Sequence, residues 1–311
     1  MIVVASANGR VGIKAAIEVM KKGGSPIDAV EAGIRLVESN LEDHSVGKGG
    51  LPNLAGEVEL DASIMDGDTL AAGAVGAVHG FEHPISIARR VMEELPHVFL
   101  VGPGAERFAK EMGFEPTELL TPAAKEIWAR GFVDSDFYSA PERVRYLERM
   151  RKLAAMAKDP EKAHGTVNFI ALDDHGHMAC GVSTSGWAWK YPGRLGDSPV
   201  IGAGNYCDSR YGGAACTGRG EMAIRAATAH SVVMYLKAGL GIQEAGIRAM
   251  HDLEDLVDEY FGGMNIVALD RHGEPAAFSD NPNATFVYMT GDMDAPVEKP
   301  RTYVELKPTR R

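Results

Sequence analysis

A ten-residue phrase occurs twice in this chain. Asn168-Phe169-Ile170-Ala171-Leu172-Asp173-Asp174-His175-Gly176-His177 is matched by Asn265-Ile266-Val267-Ala268-Leu269-Asp270-Arg271-His272-Gly273-Glu274. Each copy is an apolar run, a polar turn containing glycine, and the opening of another run, which is the grammar of a β-hairpin. Two hairpins nearly a hundred residues apart constrain the fold strongly, because each needs its own sheet face and cover. Between them, Glu221 to Lys237 reads as one long helix stopped by Gly239, and Ile242 to Leu256 as a second. The first half holds a similar inventory. Ile2 to Ala5 is a short strand. Val11 to Lys22 is a helix with Ile13, Ala16, Ile17 and Met20 on one face, ended by Gly23-Gly24. Ser25-Pro26 supplies the cap and first residue of the next helix, which runs through Val30, Ile34 and Val37. Val58 to Asp66 alternates as a strand. Leu70 to His79 is small and apolar, as in a tightly stacked central strand. Pro84 to Glu94 and Glu106 to Met112 read as helices, with Val98 to Val101 a strand between them. Two groups of strands and two groups of paired helices predict an α+β fold, a four-layer αββα sandwich. The alternative, a doubly wound parallel sheet, is opposed by the hairpins.

Charge and cysteine usage remove several function classes. The formal net charge of −11 argues against nucleic acid or an anionic membrane as partner. Cys180, Cys207 and Cys216 are too few for a disulfide framework and lie in no metal-ligand spacing. They read as small buried side chains, and no metal or cofactor is expected. No apolar run reaches the ~18 residues that span a bilayer. The first residues enter a strand directly, without the basic region of a secretory signal, so the protein reads as cytoplasmic. The glycine-rich loop Gly47 to Gly56 could cradle a phosphate, but its spacing fits neither the dinucleotide fingerprint nor the P-loop.

From Thr121 to His164 the composition turns charged and aromatic, as in a linker, with Glu142 to Ala157 a solvated helix within it. Gly165 and Thr166 follow, and the apolar run Val167 to Leu172 begins at once. Most threonines opening a strand are simply good β-formers. A second reading is that the backbone is cut before Thr166, leaving a free amine beside the hydroxyl. A threonine hydroxyl needs such an adjacent base to become a nucleophile, and strain at the Gly165–Thr166 bond would favour the cut. Three later stretches carry polar groups in small, glycine-rich surroundings. Gly181 to Gly186 holds Thr184, either part of a hydroxyl-rich turn or a partner for the nucleophile. Gly193 to Pro199 holds Arg194 and Asp197, either a loop ion pair of little worth or a clamp for the α-carboxylate and α-ammonium of an amino acid. Ala215 to Glu221 holds Thr217 and Gly218, either a helix cap or an oxyanion hole at a helix start.

In order and spacing these stretches resemble one family: the N-terminal-nucleophile (Ntn) hydrolases of the aspartylglucosaminidase, plant-type asparaginase and isoaspartyl peptidase group. The resemblance rests on Ser45-Val46-Gly47-x-Gly49-Gly50-x-Pro52, Leu60-Asp61-Ala62-x-Ile64-Met65-Asp66-Gly67, Gly73-Ala74-Val75-Gly76, Gly193-Arg194-x-Gly196-Asp197-Ser198-Pro199 and Ala215-x-Thr217-Gly218-x-Gly220. It implies the αββα sandwich, Thr166 as nucleophile after cleavage from Gly165, and Thr184 as support for its amine. It implies Arg194 and Asp197 as holders of the substrate's amino-acid end, and Thr217 and Gly218 as the oxyanion hole and part of the substrate site. Residues 1–165 would form an α-chain ending in a linker at about 134–165, and residues 166–311 a β-chain, within one domain. The implied assembly is a homodimer of αβ units acting on a small asparaginyl or β-aspartyl substrate. The body of the chain is most similar to the glycosylasparaginase branch, which cleaves N4-(β-N-acetylglucosaminyl)-L-asparagine through a β-aspartyl ester. Gly165 in place of that branch's usual aspartate, and Ser6-Ala7-Asn8-Gly9 in place of its tryptophan, follow the L-asparaginase and isoaspartyl peptidase relatives. An uncleaved, non-enzymatic binding protein on the same scaffold is a further alternative.

Overall fold

The computed structural model describes residues 1–130, 165–258 and 260–309. The expected helix Glu142 to Ala157, and the linker up to His164, lie outside the described residues. One sheet has eight strands: β1 (Ile2–Ser6), β2 (Leu60–Asp66), β3 (Ala72–Val78), β4 (Phe99–Val101), β5 (Val167–Leu172), β6 (Met178–Thr184), β11 (Thr285–Thr290) and β12 (Val297–Pro300). Their order is β12-β11-β1-β5-β6-β2-β3-β4. The second sheet holds β7 (Asn205–Asp208), β8 (Gly212–Gly218), β9 (Met264–Asp270), β10 (Pro275–Ser279) and β13 (Thr302–Tyr303), in the order β13-β10-β9-β8-β7. The two copies of the repeated phrase form the hairpins β5–β6 and β9–β10, one in each sheet. Their turns share one device. Asp173 Oδ1 accepts from the N–H groups of His175 and His177, and Asp270 Oδ1 from those of His272 and Glu274.

Alternation along the strands defines the layers. Val3 and Ala5 of β1 join the core beneath α1 (Ile13–Lys21) and α2 (Pro26–Glu38), while Ile2 and Val4 face the second sheet. In β9, Val267 and Leu269 face the first sheet. Ile266 and Ala268 lie beneath a second helical layer, α6 (Gly220–Ala226), α7 (Thr228–Lys237) and α8 (Ile242–His251). A one-residue slip would turn every such side chain to the wrong layer, and each fully buried aliphatic group contributes about 1.5–3 kcal/mol. The architecture is therefore helices, sheet, sheet, helices, as the sequence predicts. The strands are antiparallel apart from the pairs β3–β4 and β10–β13, which rules out the doubly wound alternative. Ser25 caps α2 as expected: its hydroxyl accepts from Asp28 N–H (3.2 Å), and Asp28 accepts from Ser25 N–H (2.9 Å).

Four expectations need correction. The single helix from Glu221 to Lys237 is two helices, broken at Ala227, whose φ of 48° and ψ of 48° are left-handed. The break is held from outside: His230 N–H donates to Gly202 O at 2.8 Å, so the second helix starts against the 202–203 loop. The strand from Leu70 to His79 is second from the sheet edge, not central. Its small residues answer to the cover instead, since a Cβ at Gly73 would collide with the backbone of Ala88 in α3 (Pro84–Glu94). The helix read over Glu106 to Met112 is α4 (Gly102–Glu111), which starts a turn earlier. The linker read from Thr121 begins as α5 (Pro122–Arg130), packed by Trp128 Nε1 donating to Asn53 O at 3.0 Å.

The glycine-rich loop is structural. The N–H groups of Lys48, Gly49, Gly50 and Leu51 donate to carbonyls of Glu38, Leu119, Gly47 and His44, which leaves none of them for a phosphate. Cys180, Cys207 and Cys216 are free and buried. No described helix is long and apolar enough to cross a membrane.

Candidate active site

The antiparallel pairing of β5 and β6 sets Val167 opposite Ser183. Thr166, one step before Val167, therefore meets Thr184, one step after Ser183. Thr166 Oγ1 donates to Thr184 Oγ1 at 3.2 Å, and Thr184 Oγ1 donates to the carbonyl of Gly165 at 2.8 Å. Gly186 N–H donates to Thr184 Oγ1 at 2.9 Å and fixes that hydroxyl in place. Both atoms of interest at the Gly165–Thr166 bond, its carbonyl oxygen and the following hydroxyl, thus converge on Thr184. Ser45 closes the other side. A Cβ on residue 165 would collide with the Ser45 side chain, so only glycine fits there. That contact also excludes an aspartate at 165 in this backbone arrangement.

Arg194 and Asp197 share one narrow cavity with Gly165, Thr166, Thr184 and Gly218. Arg194 already grips a carboxylate: Nε and Nη2 donate to Glu221 Oε1 and Oε2 at 3.1 and 3.0 Å. The fork is thus built to take a carboxylate edge-on. A substrate carboxylate would exchange with Glu221, whose Oε2 also lies 3.2 Å from Arg219 Nη1 and so would keep a cation. Trp187 stacks with both arginines, at 5.1 Å from Arg194 and 4.6 Å from Arg219. Asp197 is buried, and its Oδ2 accepts no hydrogen bond from the described residues. Burial pushes its carboxyl up to about 7, against the pull of Arg194.

Thr217 and Gly218 end β8. Gly218 has φ +113°, and a Cβ there would collide with Gly263 O, so the position admits only glycine. Together with Thr166 these two residues line a second, open groove of about 1010 Å³. The expected helix-start geometry differs in detail, since the helix beyond is the short α6 and begins two residues later. The six other residues singled out by sequence therefore stand around Thr166, in two spaces that share Gly165, Thr166 and Gly218 as lining. Among the described residues no group of three or more His, Cys, Asp or Glu side chains is placed to hold a metal ion.

Sequence reasoning missed three contributors. A polar chain runs from Ser6 to Asn8 (2.7 Å), from Asn8 to Asp43 (2.8 Å), and from Asp43 to Ser45, whose N–H it accepts at 2.9 Å. Ser45 opened a quoted motif, but nothing local linked it to Gly165. Glu221 lay in the right stretch without a visible partner. Lys190, with Glu59 and Asp61, forms a buried charge cluster behind the clamp.

Comparison with known proteins shows the family. A family model described as asparaginase matches residues 7–297. An N(4)-(β-N-acetylglucosaminyl)-L-asparaginase from Elizabethkingia miricola is 38% identical over 277 residues, 86% of this chain and 75% of that protein. A plant-type L-asparaginase from Pyrococcus horikoshii is 37% identical over 291 residues, 92% of this chain and 91% of that one. An isoaspartyl peptidase/L-asparaginase from Rattus norvegicus is 40% identical over 241 residues, 76% of this chain and 67% of that one. With an Ntn-hydrolase fold and a match across nearly its whole length, the chain belongs to the asparaginase family of amidohydrolases.

Proposed function

We propose that the chain cuts itself between Gly165 and Thr166 and then hydrolyses the side-chain amide of N4-substituted asparagine to aspartate, glycosylated asparagine included. The observation that carries this reading is the convergence of Thr166 Oγ1 and Gly165 O on Thr184 Oγ1 (3.2 and 2.8 Å). In the first step Thr166 Oγ attacks the Gly165 carbonyl carbon. As the ester forms, the C–N bond breaks and the hydroxyl proton passes to the nitrogen, which frees the Thr166 amine. Water then hydrolyses the ester to the Gly165 carboxylate and the Thr166 hydroxyl, dividing residues 1–165 from 166–311. In turnover that amine takes the hydroxyl proton as Oγ attacks the β-carbonyl. Thr217 Oγ1 and Gly218 N–H hold the oxyanion. The protonated amine then gives its proton to the leaving nitrogen, and water clears the β-aspartyl ester. Arg194 and Asp197 hold the amino-acid end. The groove beside Thr166 is open to solvent and leaves room for a substituent on the amide nitrogen, which supports a substituted amide as substrate. Turnover of N4-(β-N-acetylglucosaminyl)-asparagine, β-aspartyl dipeptides and asparagine by processed protein tests this. Asparagine turned over as well as either larger compound would sink the substituted-amide reading, and inertness to all three the amidase reading.

Gly165→Ala should slow the appearance of the two halves tenfold or more. A Cβ there must push the scissile carbonyl away from Thr184 or displace Ser45, and about 1.4 kcal/mol of added barrier suffices for that factor. A gel time course with an unchanged cleavage rate would remove the role given to this contact.

Asp197 gives a pH signature. Its carboxyl, raised to about 7, is charged only above that pH. The kcat/KM for substrates bearing an α-ammonium should therefore fall as pH drops through about 7. An analogue lacking the α-amino group should lack this limb. Should both compounds share one profile, the limb belongs to another group, such as the nucleophile's amine, since α-amines ordinarily titrate near ~7.7–8.0.

A further inference from the structure

We propose that Arg301 is an anion-recognising subsite for the leaving group, so that the site at Thr166 prefers amides whose N4-substituent carries a carboxylate. The inference rests on the amide-hydrolysis reading above and deepens it. Arg301 is only 8% exposed, yet it lines the same open groove as Thr166, Thr217 and Gly218. It lies beyond residue 297, where the family match ends. Its place is fixed by two backbone carbonyls: Nε donates to Thr285 O at 2.8 Å and Nη1 to Ile266 O at 3.2 Å. Two of five guanidinium donors are used in this way, and the planar fork suits a carboxylate with the rest.

The charge itself is the anomaly. A buried cation is costly unless paired, and the other arginines at this site are paired. Arg194 and Arg219 share Glu221, Arg219 also meets Asp258 at 3.2 Å, and Arg10 meets Glu298 at 3.7 Å. The bonds given to Arg301 among the described residues end on neutral carbonyls. Burial lowers its pKa to about 10 with no carboxylate to offset it, so it stays cationic at neutral pH. Three acids, Glu42, Asp43 and Asp280, share the groove, and none of them forms an ion pair with Arg301 among the described residues. Asp280 accepts from Gly263 N–H (2.7 Å) and Met264 N–H (2.9 Å), and Asp43 from Asn8 (2.8 Å) and Ser45 N–H (2.9 Å).

Its position suits a group close to the scissile nitrogen. Thr217 pairs with Asn265 across β8 and β9, and Arg301 is bonded to the carbonyl of the next residue, Ile266. In a β-aspartyl dipeptide the leaving amino acid carries its carboxylate one carbon from the scissile nitrogen. A sugar substituent is neutral there, and asparagine has no substituent. Arg301 therefore separates the dipeptide from two compounds that Arg194 and Asp197 cannot distinguish from it.

The test needs no mutation at first. Processed wild-type protein is given β-aspartyl-leucine and the same compound with a C-terminal amide. The acid should show a KM about tenfold or more below that of the amide, the factor expected of a charge-assisted hydrogen bond. Arg301→Lys and Arg301→Gln should shrink the acid-to-amide ratio in that order, with Gln bringing it close to one. Equal KM values on wild type overturn the proposal. So does a variant that changes acid and amide alike, because a purely structural tie would move both. If neither compound is hydrolysed, the Thr166 reading fails on its own account. The subsite is then judged by calorimetric binding of the same pair, where equal affinities reject it.

Discussion

Thr166→Ala is expected to yield one uncut polypeptide with turnover of any asparaginyl amide lowered on the order of 10⁵–10⁶-fold, the scale seen when a covalent nucleophile is removed. The size follows from the double use of one hydroxyl. In the proposed mechanism it starts backbone cleavage beside Thr184, 3.2 Å away, and then attacks substrate with the amine that cleavage would expose. Alanine removes both at once, so this variant alone cannot separate failed processing from failed chemistry. Thr166→Ser does so. Serine keeps the hydroxyl and the amine and loses only a methyl, so the chain should still divide at 165/166 and turn over at a reduced rate. Thr184→Val should slow processing while leaving Oγ of Thr166 in place, because the carbonyl of Gly165 loses its 2.8 Å donor. Intact mass and turnover on the same samples read both effects. An active, undivided Thr166→Ala protein rules out the mechanism.

How much of this could be read from sequence depended on distance along the chain. The hairpins were legible because their signal is local: a short apolar run followed by Asp173 or Asp270 and a glycine in the turn. The stretches bearing Thr184, Arg194, Asp197, Thr217 and Gly218 were legible as glycine-framed polar motifs. What they meet was not. The Ser45 contact with Gly165 joins residues 120 positions apart in sequence, and no period or composition marks it. The grip of Glu221 on Arg194 spans 27 residues and two loops. The helix break at Ala227 was hidden for a different reason. Alanine is the strongest helix former, and the apolar pattern continues across it, so only the tertiary hydrogen bond from His230 to Gly202 reveals the bend. The placing of β3 near the edge was misread because small residues signal close approach without saying whether a strand or a helix approaches. Here it is α3.

The largest stability effect expected is at a residue that touches none of the reacting atoms. Lys190 is 1% exposed, and its Nζ lies 3.7 Å from Glu59 Oε2 and 3.8 Å from Asp61 Oδ2, both side chains almost wholly buried. It also donates to Glu59 O at 3.3 Å. Burial raises the carboxyl of Asp61, and of the groups that oppose this the charge of Lys190 does most. Lys190→Met keeps the length of the side chain and deletes the charge, which leaves two buried carboxylates without the ammonium that lies beside both. Removing one partner from a buried ion pair costs about 3–5 kcal/mol, and denaturant unfolding of the variant should show a loss of that order. The pH dependence gives the cause. The folded-state pKa of Asp61 would rise further above its unfolded value, so the penalty applies where Asp61 is charged and fades as falling pH protonates it. The deficit should therefore be largest at alkaline pH and shrink on acidification, and a loss that is constant with pH would point to packing instead. Function should follow stability here, because Glu59 Oε1 accepts the N–H of Gly193 at 2.7 Å, the residue before Arg194. Loosening that tie moves the guanidinium proposed to hold the substrate, so the same variant should raise KM more than it lowers kcat. That split separates a disturbed clamp from a disturbed nucleophile, whose loss would fall on kcat.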